Sequence, residues 1–228
     1  MARLAQSFNR AAAQIENLVD AHKMLLANAS HELRTPLTRI RLGIELLKKG
    51  DDPKRHADLE ADIAELDELI DEILLASRLD AGVALDCDEE IDFLALAAEE
   101  CARSAACSFA GDAASVRGDP RLLRRMIRNL IVNAEQHGQP PVEAEVRATA
   151  GRAMLRVCDH GPGVAEAEQA RLFLPFQRKG AGHGLGLALV RQIAERHGGS
   201  VTYGPWGGCE SCFTVSLPLA GGGTAAPH

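Results

Sequence analysis

The sequence predicts an antiparallel pair of long helices followed by a mixed α/β domain. Two observations carry this prediction. Apolar residues recur every three or four positions up to about residue 80, and beyond it short strand-like runs alternate with helical segments. The 228 residues are 46% hydrophobic and 25% charged, which is typical of a globular chain with a sizeable core.

The first helix is predicted over about Leu4 to Lys49, and Gly50-Asp51-Asp52-Pro53 ends it. A second helix follows. Because a lone helical hairpin leaves much of both apolar stripes in water, we expect a homodimer that buries four helices together. The apolar stripes are Ile15, Leu18, Leu25, Ala29, Leu33, Ile40, Ile44 and Leu47, then Leu59, Ile63, Leu66, Ile70, Ile73 and Ser77. Eight acidic residues of the second helix predict a solvated face without a catalytic role: Asp58, Glu60, Asp62, Glu65, Asp67, Glu68, Asp71 and Glu72.

His31 to Pro36 reads His-Glu-Leu-Arg-Thr-Pro inside the first helix. At about 100° per residue, His31 lies off the apolar stripe and Thr35 lies on nearly the same face as His31. Pro36 cannot donate to the carbonyl of Glu32, so we expect a local bend beside the histidine. A surface histidine without a role is the plain alternative. The zinc-protease pattern His-Glu-x-x-His is excluded, because Thr35 stands in place of its second imidazole.

The second domain is predicted to mix helices and strands. Helices are expected at about Ile91 to Arg103, Pro120 to His137 and Leu185 to His197, and strands at Val142 to Ala148, Ala153 to Cys158, Ser200 to Tyr203 and Phe213 to Leu217. The small-residue tail, 220–228, is expected to be disordered.

Composition excludes several functions. A net charge of -7 argues against a general nucleic-acid binder, and the sequence shows neither an apolar membrane span nor a signal peptide. The six cysteines are scattered, which predicts reduced thiols. Cys209-x-x-Cys212 lacks a second such pair and predicts an incidental pair at a strand edge.

Two polar clusters predict ligand chemistry. Asn129 and Asn133 share one face of a predicted helix, where neutral amide oxygens can ligate Mg²⁺ beside phosphates. Asp159-His-Gly-Pro-Gly163 follows a predicted strand, so its carboxylate can accept a hydrogen bond from an exocyclic amine. An ordinary Asp-x-Gly turn is the alternative for this second cluster.

A glycine-rich segment from Gly182 to Leu187 opens the last predicted helix, and unpaired amides at a helix start suit polyphosphate. It matches neither the Walker A pattern nor the dinucleotide-binding pattern. Before it, Leu172-Phe-Leu-Pro-Phe176 is an apolar anchor, for which core packing is the alternative. Arg178 and Lys179 follow as cations suited to phosphate oxygens in a mobile cover.

These five motifs occur in the order of the H, N, G1, F and G2 boxes, and the chain resembles the sensor histidine kinases of two-component systems. Ser77-Arg-Leu-Asp-Ala-Gly82 is similar to that family's exit from its dimerisation helices. The resemblance covers about Ala21 to Leu217. It implies a HAMP-like helix end at 1–20, a dimerisation and phosphotransfer domain at 21–81 and a Bergerat-type ATP-binding sandwich at 82–219.

The resemblance also implies residue roles. His31 would attack the γ-phosphoryl of ATP, Glu32 would orient or deprotonate its ring, and Thr35 would position water for a phosphatase reaction. Asn133 would hold Mg²⁺ with support from Asn129, and Asp159 would bind the adenine amine. Further nucleotide contacts would come from Gly161, Gly163, Phe176, Arg178, Lys179, Gly182, Gly184, Leu185 and Gly186.

The partners implied are a second copy of the chain and the receiver domain of a response regulator. By the same resemblance we expect the cytoplasmic part of an inner-membrane sensor whose upstream segment is missing here, with a native soluble kinase as the alternative. Nucleic acid is not an expected partner.

Three positions depart from the family pattern. Gln136 stands where a Lys or Arg is common, the cover from Phe176 to Gly182 is short, and Cys209 replaces a frequent glycine. Arg125, Arg178 or Lys179 would then supply the missing charge. An adaptor or phosphatase that binds nucleotide weakly, and a chaperone-like ATPase, are the competing hypotheses.

Overall fold

The computed structural model describes residues 29, 32–47, 52–81, 89–177 and 184–221. The chain divides after Ala81 into two compact units. We call the described residues up to Ala81 the helical unit and those from Glu89 onward the α/β unit. The predicted HAMP-like segment 1–20 and residues 222–228 of the predicted tail lie outside the described residues. The predicted fold class, helices followed by a mixed α/β domain, is confirmed.

The helical unit consists of helix α1, described over residues 32–47, and helix α2, Pro53–Asp80. Asp52 caps α2, because its side chain accepts a hydrogen bond from the backbone N–H of Lys54 at 3.0 Å. Pro53 occupies the first turn, where no intrahelical N–H bond is lost. The predicted break between the helices is therefore confirmed at its Asp-Pro end.

Side chains tie α1 to α2. The guanidinium of Arg39 pairs with Asp62, with Nε 2.8 Å from Oδ1, and also with Glu65. Gly43 marks a close approach, since a Cβ there would lie 2.6 Å from Cδ1 of Leu59. These contacts hold α1 against α2. The prediction of a wholly solvated acidic face is wrong at Glu72, which is buried because it turns onto the same side of α2 as Leu69.

The helical unit leaves apolar side chains in contact with solvent. α2 buries Leu69, Ala76 and Leu79, a stripe rotated from the predicted one. Most described members of the predicted stripes are half-buried in a single chain. Ile44, Ile63 and Ile70 are exposed, and so are Leu37 and Leu74, with exposed fractions between 38% and 51%. We call these five residues the apolar face of the helical unit.

The α/β unit contains seven strands and four helices among its described residues. In chain order they are β1 (Glu89–Asp92), α3 (Phe93–Cys101), β2 (Cys107–Gly111), β3 (Ser115–Gly118), α4 (Pro120–His137), β4 (Val142–Thr149), β5 (Arg152–Asp159), α5 (Glu166–Gln169), α6 (Gly186–Arg196), β6 (Ser200–Tyr203) and β7 (Ser211–Pro218). The predicted helix from Ile91 is wrong at its start, because Ile91 pairs with Val116 in a strand and Asp92 caps α3. That helix ends at Cys101, two residues before its predicted end, and the other predicted helices and strands of this unit are confirmed within two residues at each end.

The main sheet has the strand order β2-β4-β5-β7-β6, with β2 parallel to β4 and the remaining pairs antiparallel. Val146, Leu155 and Val215 lie side by side across three strands and are fully buried. The helices α3, α4 and α6 contact this sheet, and α4 also packs on α6. The core therefore lies between one helical layer and one face of the sheet.

A buried carboxylate joins α3 to α4. Glu100 is 3% exposed and accepts hydrogen bonds from Arg124 at 2.9 Å and from Arg128 at 2.8 Å, while Arg103 lies 3.2 Å away. Burial by itself raises the pKa of the Glu100 carboxyl, but the hydrogen bonds from Arg128 and Arg124 outweigh it and lower the pKa below its ordinary value. The ionised form thus stabilises the α3–α4 contact.

Four cysteines are paired, so the prediction of reduced thiols throughout is wrong. Disulfides join Cys101 to Cys107 and Cys158 to Cys212, while Cys209 keeps a buried thiol. The sheet register explains the second bond, since Cys158 on β5 is the cross-strand partner of Cys212 on β7. Cys212 is therefore no incidental edge residue. Cys87 lies outside the described residues.

Candidate active site

Asp159 is the most constrained of the predicted nucleotide residues. It ends β5 and is 3% exposed. Its Oδ1 accepts a hydrogen bond from the backbone N–H of Gly161 at 2.8 Å, and its Oδ2 accepts one from the hydroxyl of Ser211 at 2.6 Å. Both carboxylate oxygens are thus oriented before any ligand arrives, while lone pairs remain for a further donor.

Two glycines line this carboxylate. A Cβ at Gly138 would lie 2.2 Å from Cγ of Asp159, and a Cβ at Gly161 would lie 2.8 Å from its Oδ1. Only glycine fits such distances to a constrained side chain. The N–H of His160 donates to the carbonyl of Gln139 at 2.9 Å, which joins the loop after α4 to the loop after β5.

The rest of the glycine loop is anchored from β6. Gly163 has a φ of +71°, which favours glycine. The next residue, Val164, donates its backbone N–H to the hydroxyl oxygen of Tyr203 at 2.8 Å. The loop from Asp159 to Val164 is therefore held at both ends.

The predicted amide pair lies on α4, and both side chains are half-buried. Asn129 donates from Nδ2 to the carbonyl of Gly186 at 3.1 Å, so it contacts the first residue of α6. Asn133 lies one turn further along the same face of α4. The side chain of Leu185 is fully buried, which leaves only its backbone available to a ligand.

Phe176 and Gly184 bracket the predicted cover. The N–H of Phe176 donates to the carbonyl of Gly184 at 2.8 Å, and both residues have positive φ values, +59° and +71°. A Cβ at Gly184 would lie 2.9 Å from the carbonyl oxygen of Gln177. The predicted phosphate contacts Arg178, Lys179 and Gly182 lie outside the described residues.

The predicted acceptor segment belongs to the helical unit. His31 lies outside the described residues. Among its neighbours on α1, Glu32 is half-buried, Thr35 is exposed and Pro36 is buried. Thr38 donates from its hydroxyl to the carbonyl of Arg34 at 2.8 Å, next to the position where Pro36 interrupts the helical hydrogen bonds. The sequence predicts His31 on the same helix face as Thr35, and Thr35 is exposed.

Three supporting residues were missed from sequence. Ser211 and Tyr203 orient Asp159 and its loop, and Gly138 leaves room for the carboxylate, yet all three lie between 21 and 52 residues from Asp159 along the chain. Gly138 had a weak local signal, since it directly follows the predicted helix Pro120 to His137. Ser211 had none, because its role depends on the pairing of β5 with β7.

The residues present fit a nucleotide with its magnesium ion. The Asp159 carboxylate suits an amine donor, and Gly138 and Gly161 leave room for that carboxylate close to the backbone. The amide oxygen of Asn133 is a hard, neutral ligand of the type that Mg²⁺ accepts next to phosphates.

Comparison with known families decides the identity. Residues 21–82 match the family model of the His Kinase A (phospho-acceptor) domain, and residues 118–221 match that of the histidine kinase-, DNA gyrase B-, and HSP90-like ATPases. The chain belongs to the sensor histidine kinases. Its α/β unit is the ATPase-type sandwich of that family, which confirms the predicted Bergerat-type fold.

Individual histidine kinases show the same likeness. The chain is 33% identical to the sensor protein kinase PmrB of Pseudomonas aeruginosa over 222 residues, covering 88% of this chain and 46% of PmrB. The histidine kinase AdeS of Acinetobacter baumannii has the same fold, with a TM-score of 0.70, 24% identity and coverage of 83% of this chain and 98% of AdeS. Full-length ShkA in complex with AMPPNP gives a TM-score of 0.58 and 27% identity, covering 90% of this chain and 47% of ShkA.

The chain spans about half the length of the curated relatives it matches. Among the described helices, none combines the length and the apolar character that crossing a bilayer requires.

Proposed function

We propose that this chain is the kinase portion of a sensor histidine kinase, which transfers the γ-phosphoryl group of ATP to His31. The observation that carries the proposal is the buried, doubly hydrogen-bonded carboxylate of Asp159 in its glycine cradle. An acidic side chain so desolvated and oriented is suited to one specific donor, and the exocyclic amine of adenine is such a donor.

The phosphate end of the nucleotide would lie between α4 and α6. Asn129 already contacts Gly186 at the start of α6, where free backbone amides and the helix dipole favour anions. Gly184 lets the backbone approach closely at this point. Arg178 and Lys179 would add charge from the cover, and Leu185 and Phe176 would support it from the core side.

A magnesium ion would be held by Asn133 and would neutralise phosphate charge when bound. Arg125 lies on α4 one turn before Asn129. It offers a cation in place of the Lys or Arg that Gln136 replaces. Phosphoryl transfer depends chiefly on such positioning and charge neutralisation.

The acceptor is the unprotonated ring nitrogen of His31. A bond forms between that nitrogen and the γ-phosphorus while the bond to the β-phosphate oxygen breaks and ADP leaves. Glu32 would orient the imidazole through the proton on its other nitrogen. The phosphoryl group would then pass to an aspartate of a response regulator, and the exposed Thr35 would position water for the reverse phosphatase reaction.

We further propose domain limits at 21–81 and 82–219, a HAMP-like helix end at 1–20 and a homodimer formed through the apolar face of the helical unit. Five half-exposed apolar side chains on two paired helices support a second copy as the covering surface. We also propose that the chain is the cytoplasmic part of a longer sensor protein, and PmrB, a sensor protein kinase about twice as long as the matched region, is consistent with this.

The test is autophosphorylation with γ-labelled ATP and Mg²⁺. The chain should acquire an acid-labile, alkali-stable label, and His31→Ala should abolish it. His56→Ala is the matched control, because His56 lies in the same unit outside the H box, and it should retain the label. Retained labelling in His31→Ala contradicts the acceptor assignment.

Nucleotide binding is tested separately by calorimetry with ADP and Mg²⁺. Asp159→Asn keeps an acceptor for Gly161 but gives the adenine amine a donor-bearing amide, so affinity should fall at least tenfold. Asp112→Asn removes an exposed partner of Arg147 on β4 and should leave affinity unchanged. Normal affinity in Asp159→Asn refutes the base-binding role, and binding of a regulator without any labelling would favour an adaptor or phosphatase instead.

A further inference from the structure

Three metal-ligating side chains converge at the end of the sheet, outside the residues assigned to the nucleotide. They are Glu143 on β4, His160 after β5 and Cys209 before β7, and their nearest N, O and S atoms all lie within 4.8 Å of one another. We propose that they bind a divalent transition metal of the zinc type. The proposal does not rest on the proposed kinase function.

The distances support a shared ion. Nε2 of His160 lies 3.6 Å from Sγ of Cys209 and 3.6 Å from Oε1 of Glu143. Tetrahedral Zn²⁺ with bonds of about 2.3 Å to sulfur and 2.0 to 2.1 Å to nitrogen separates those two ligands by about 3.6 Å. The nitrogen and sulfur atoms thus already have the spacing of two zinc ligands. Glu143 is half exposed, so its carboxylate can rotate toward the sulfur atom.

The backbone fixes where these side chains lie. Glu143, Cys158 and Cys212 form one cross-strand row on one side of the sheet. His160 directly follows β5, and its ring contacts Glu143 of this row. The row adjacent to it, from Ala144 to Phe213, is buried in the helix-covered core. The three proposed ligands therefore lie on the face of the sheet opposite to Asp159.

A tight turn brings the cysteine to this row. Trp206 and Cys209 exchange two backbone hydrogen bonds of 2.9 Å across Gly207 and Gly208, both with positive φ. The indole of Trp206 packs over the guanidinium of Arg156 on β5, with 4.3 Å from Cζ to the ring centroid. This stacking contact holds the turn against the sheet. Cys209 is only 6% exposed.

The donor set selects the class of ion. One thiolate, one imidazole and one carboxylate suit Zn²⁺ or Co²⁺, whereas Mg²⁺ and Ca²⁺ prefer oxygen ligands alone. Three protein ligands leave a fourth position for water. The neighbouring sulfur atoms of Cys158 and Cys212 are joined to each other and do not supply it.

The experiment is an anaerobic Co²⁺ titration of the full chain without thiol reductant. Binding of one equivalent should produce a sulfur-to-cobalt charge-transfer band and the intense visible bands of a tetrahedral site, and Zn²⁺ should displace both. Absence of the charge-transfer band, or no displacement by Zn²⁺, overturns the proposal.

Variants assign the band to this cluster. Cys209→Ser should abolish it, whereas the matched control Cys87→Ser should retain it. His160→Ala and Glu143→Gln should each weaken Co²⁺ binding at least tenfold, and their controls His137→Ala and Glu90→Gln should not. A band that survives Cys209→Ser, or is lost in Cys87→Ser, overturns the assignment.

A second measurement distinguishes loss of the metal site from misfolding of a variant. Saturating Zn²⁺ should raise the thermal unfolding temperature of the Cys87→Ser chain and leave that of the Cys209→Ser chain unchanged. An equal rise in both variants contradicts the site. This result does not depend on the cobalt spectra, so it holds for a variant whose spectrum cannot be read.

Discussion

The two units of this chain complete their cores in different ways. In the α/β unit, the central positions Leu130, Leu155 and Leu189 are fully buried by their own unit's sheet and helices. In the helical unit, Leu37 and Leu74 are each 51% exposed although they lie on two paired helices. The difference teaches that the α/β unit stabilises itself, whereas the helical unit depends on another surface for part of its hydrophobic free energy.

The units also differ in how they present functional groups. The proposed base-binding carboxylate, Asp159, is buried and held by two hydrogen bonds, but the proposed phosphatase residue, Thr35, is exposed on a helix. A small ligand can be enclosed by a prebuilt pocket. A phosphoacceptor that must meet both a nucleotide and a partner protein has to remain accessible.

The largest effect is expected from a substitution in the buried core of the α/β unit. Leu155→Ala should lower the free energy of unfolding of the α/β unit by roughly 2 to 5 kcal/mol, because a cavity forms in the central strand. Urea unfolding of the full chain, followed by the fluorescence of Trp206, measures it. Leu37→Ala is the control and should leave this transition unchanged, and an equal loss there contradicts the division into two independently stabilised units.

A smaller effect tests the charged contact inside the α/β unit. Glu100→Gln should lower the free energy of unfolding of the α/β unit by roughly 1 to 3 kcal/mol, because the hydrogen bonds to Arg124 and Arg128 lose their charge assistance. Since the folded-state pKa of Glu100 is lowered, its stabilisation is fully present above its unfolded pKa and is lost as pH falls through the folded value.

Unfolding measured between about pH 6 and pH 3 should therefore show a shallower acid loss in Glu100→Gln than in the unmodified chain. Glu99→Gln, which removes a more exposed partner of Arg124, is the control. Identical pH profiles for the unmodified chain and Glu100→Gln would remove Glu100 from the acid response.

The third prediction addresses the apolar face of the helical unit. Leu74→Asp should raise the dissociation constant of the homodimer at least tenfold, which corresponds to about 1.4 kcal/mol, because a charge is buried at the expected interface. Sedimentation equilibrium measures the change. Leu174→Asp, at a similarly exposed leucine of the α/β unit, should leave it unaltered. A monomeric unmodified chain would show that something other than a second copy covers this face.

The smallest effect compares equivalent helix starts. Asp119 caps α4 by accepting from the N–H groups of Arg121 and Leu122, and Asp52 caps α2 by accepting from Lys54. Asp119→Ala should cost about 1 kcal/mol in the unfolding of the α/β unit. Asp52→Ala should affect only the transition of the helical unit. If both variants shift the same transition equally, the two units unfold together.

Local patterns were sufficient for the longer elements. The helix Pro120–His137 was predicted with its observed ends, because an apolar helical period runs through it. Short strands were missed when their residues carry no alternation. β2, Cys107–Gly111, is a strand because β4 lies beside it, and Ile91 was assigned to a helix because its pairing with Val116 is not visible locally.

The sequence by itself determined the order of the motifs, the helical period around His31 and the residue types of the proposed nucleotide site, because these depend on neighbours along the chain. Only the tertiary structure decided that Ser211 orients Asp159, that Cys158 pairs with Cys212, and that Cys209 lies beside His160. The reason is physical: strand register and helix packing set distances between residues far apart in sequence, and no local periodicity encodes those distances.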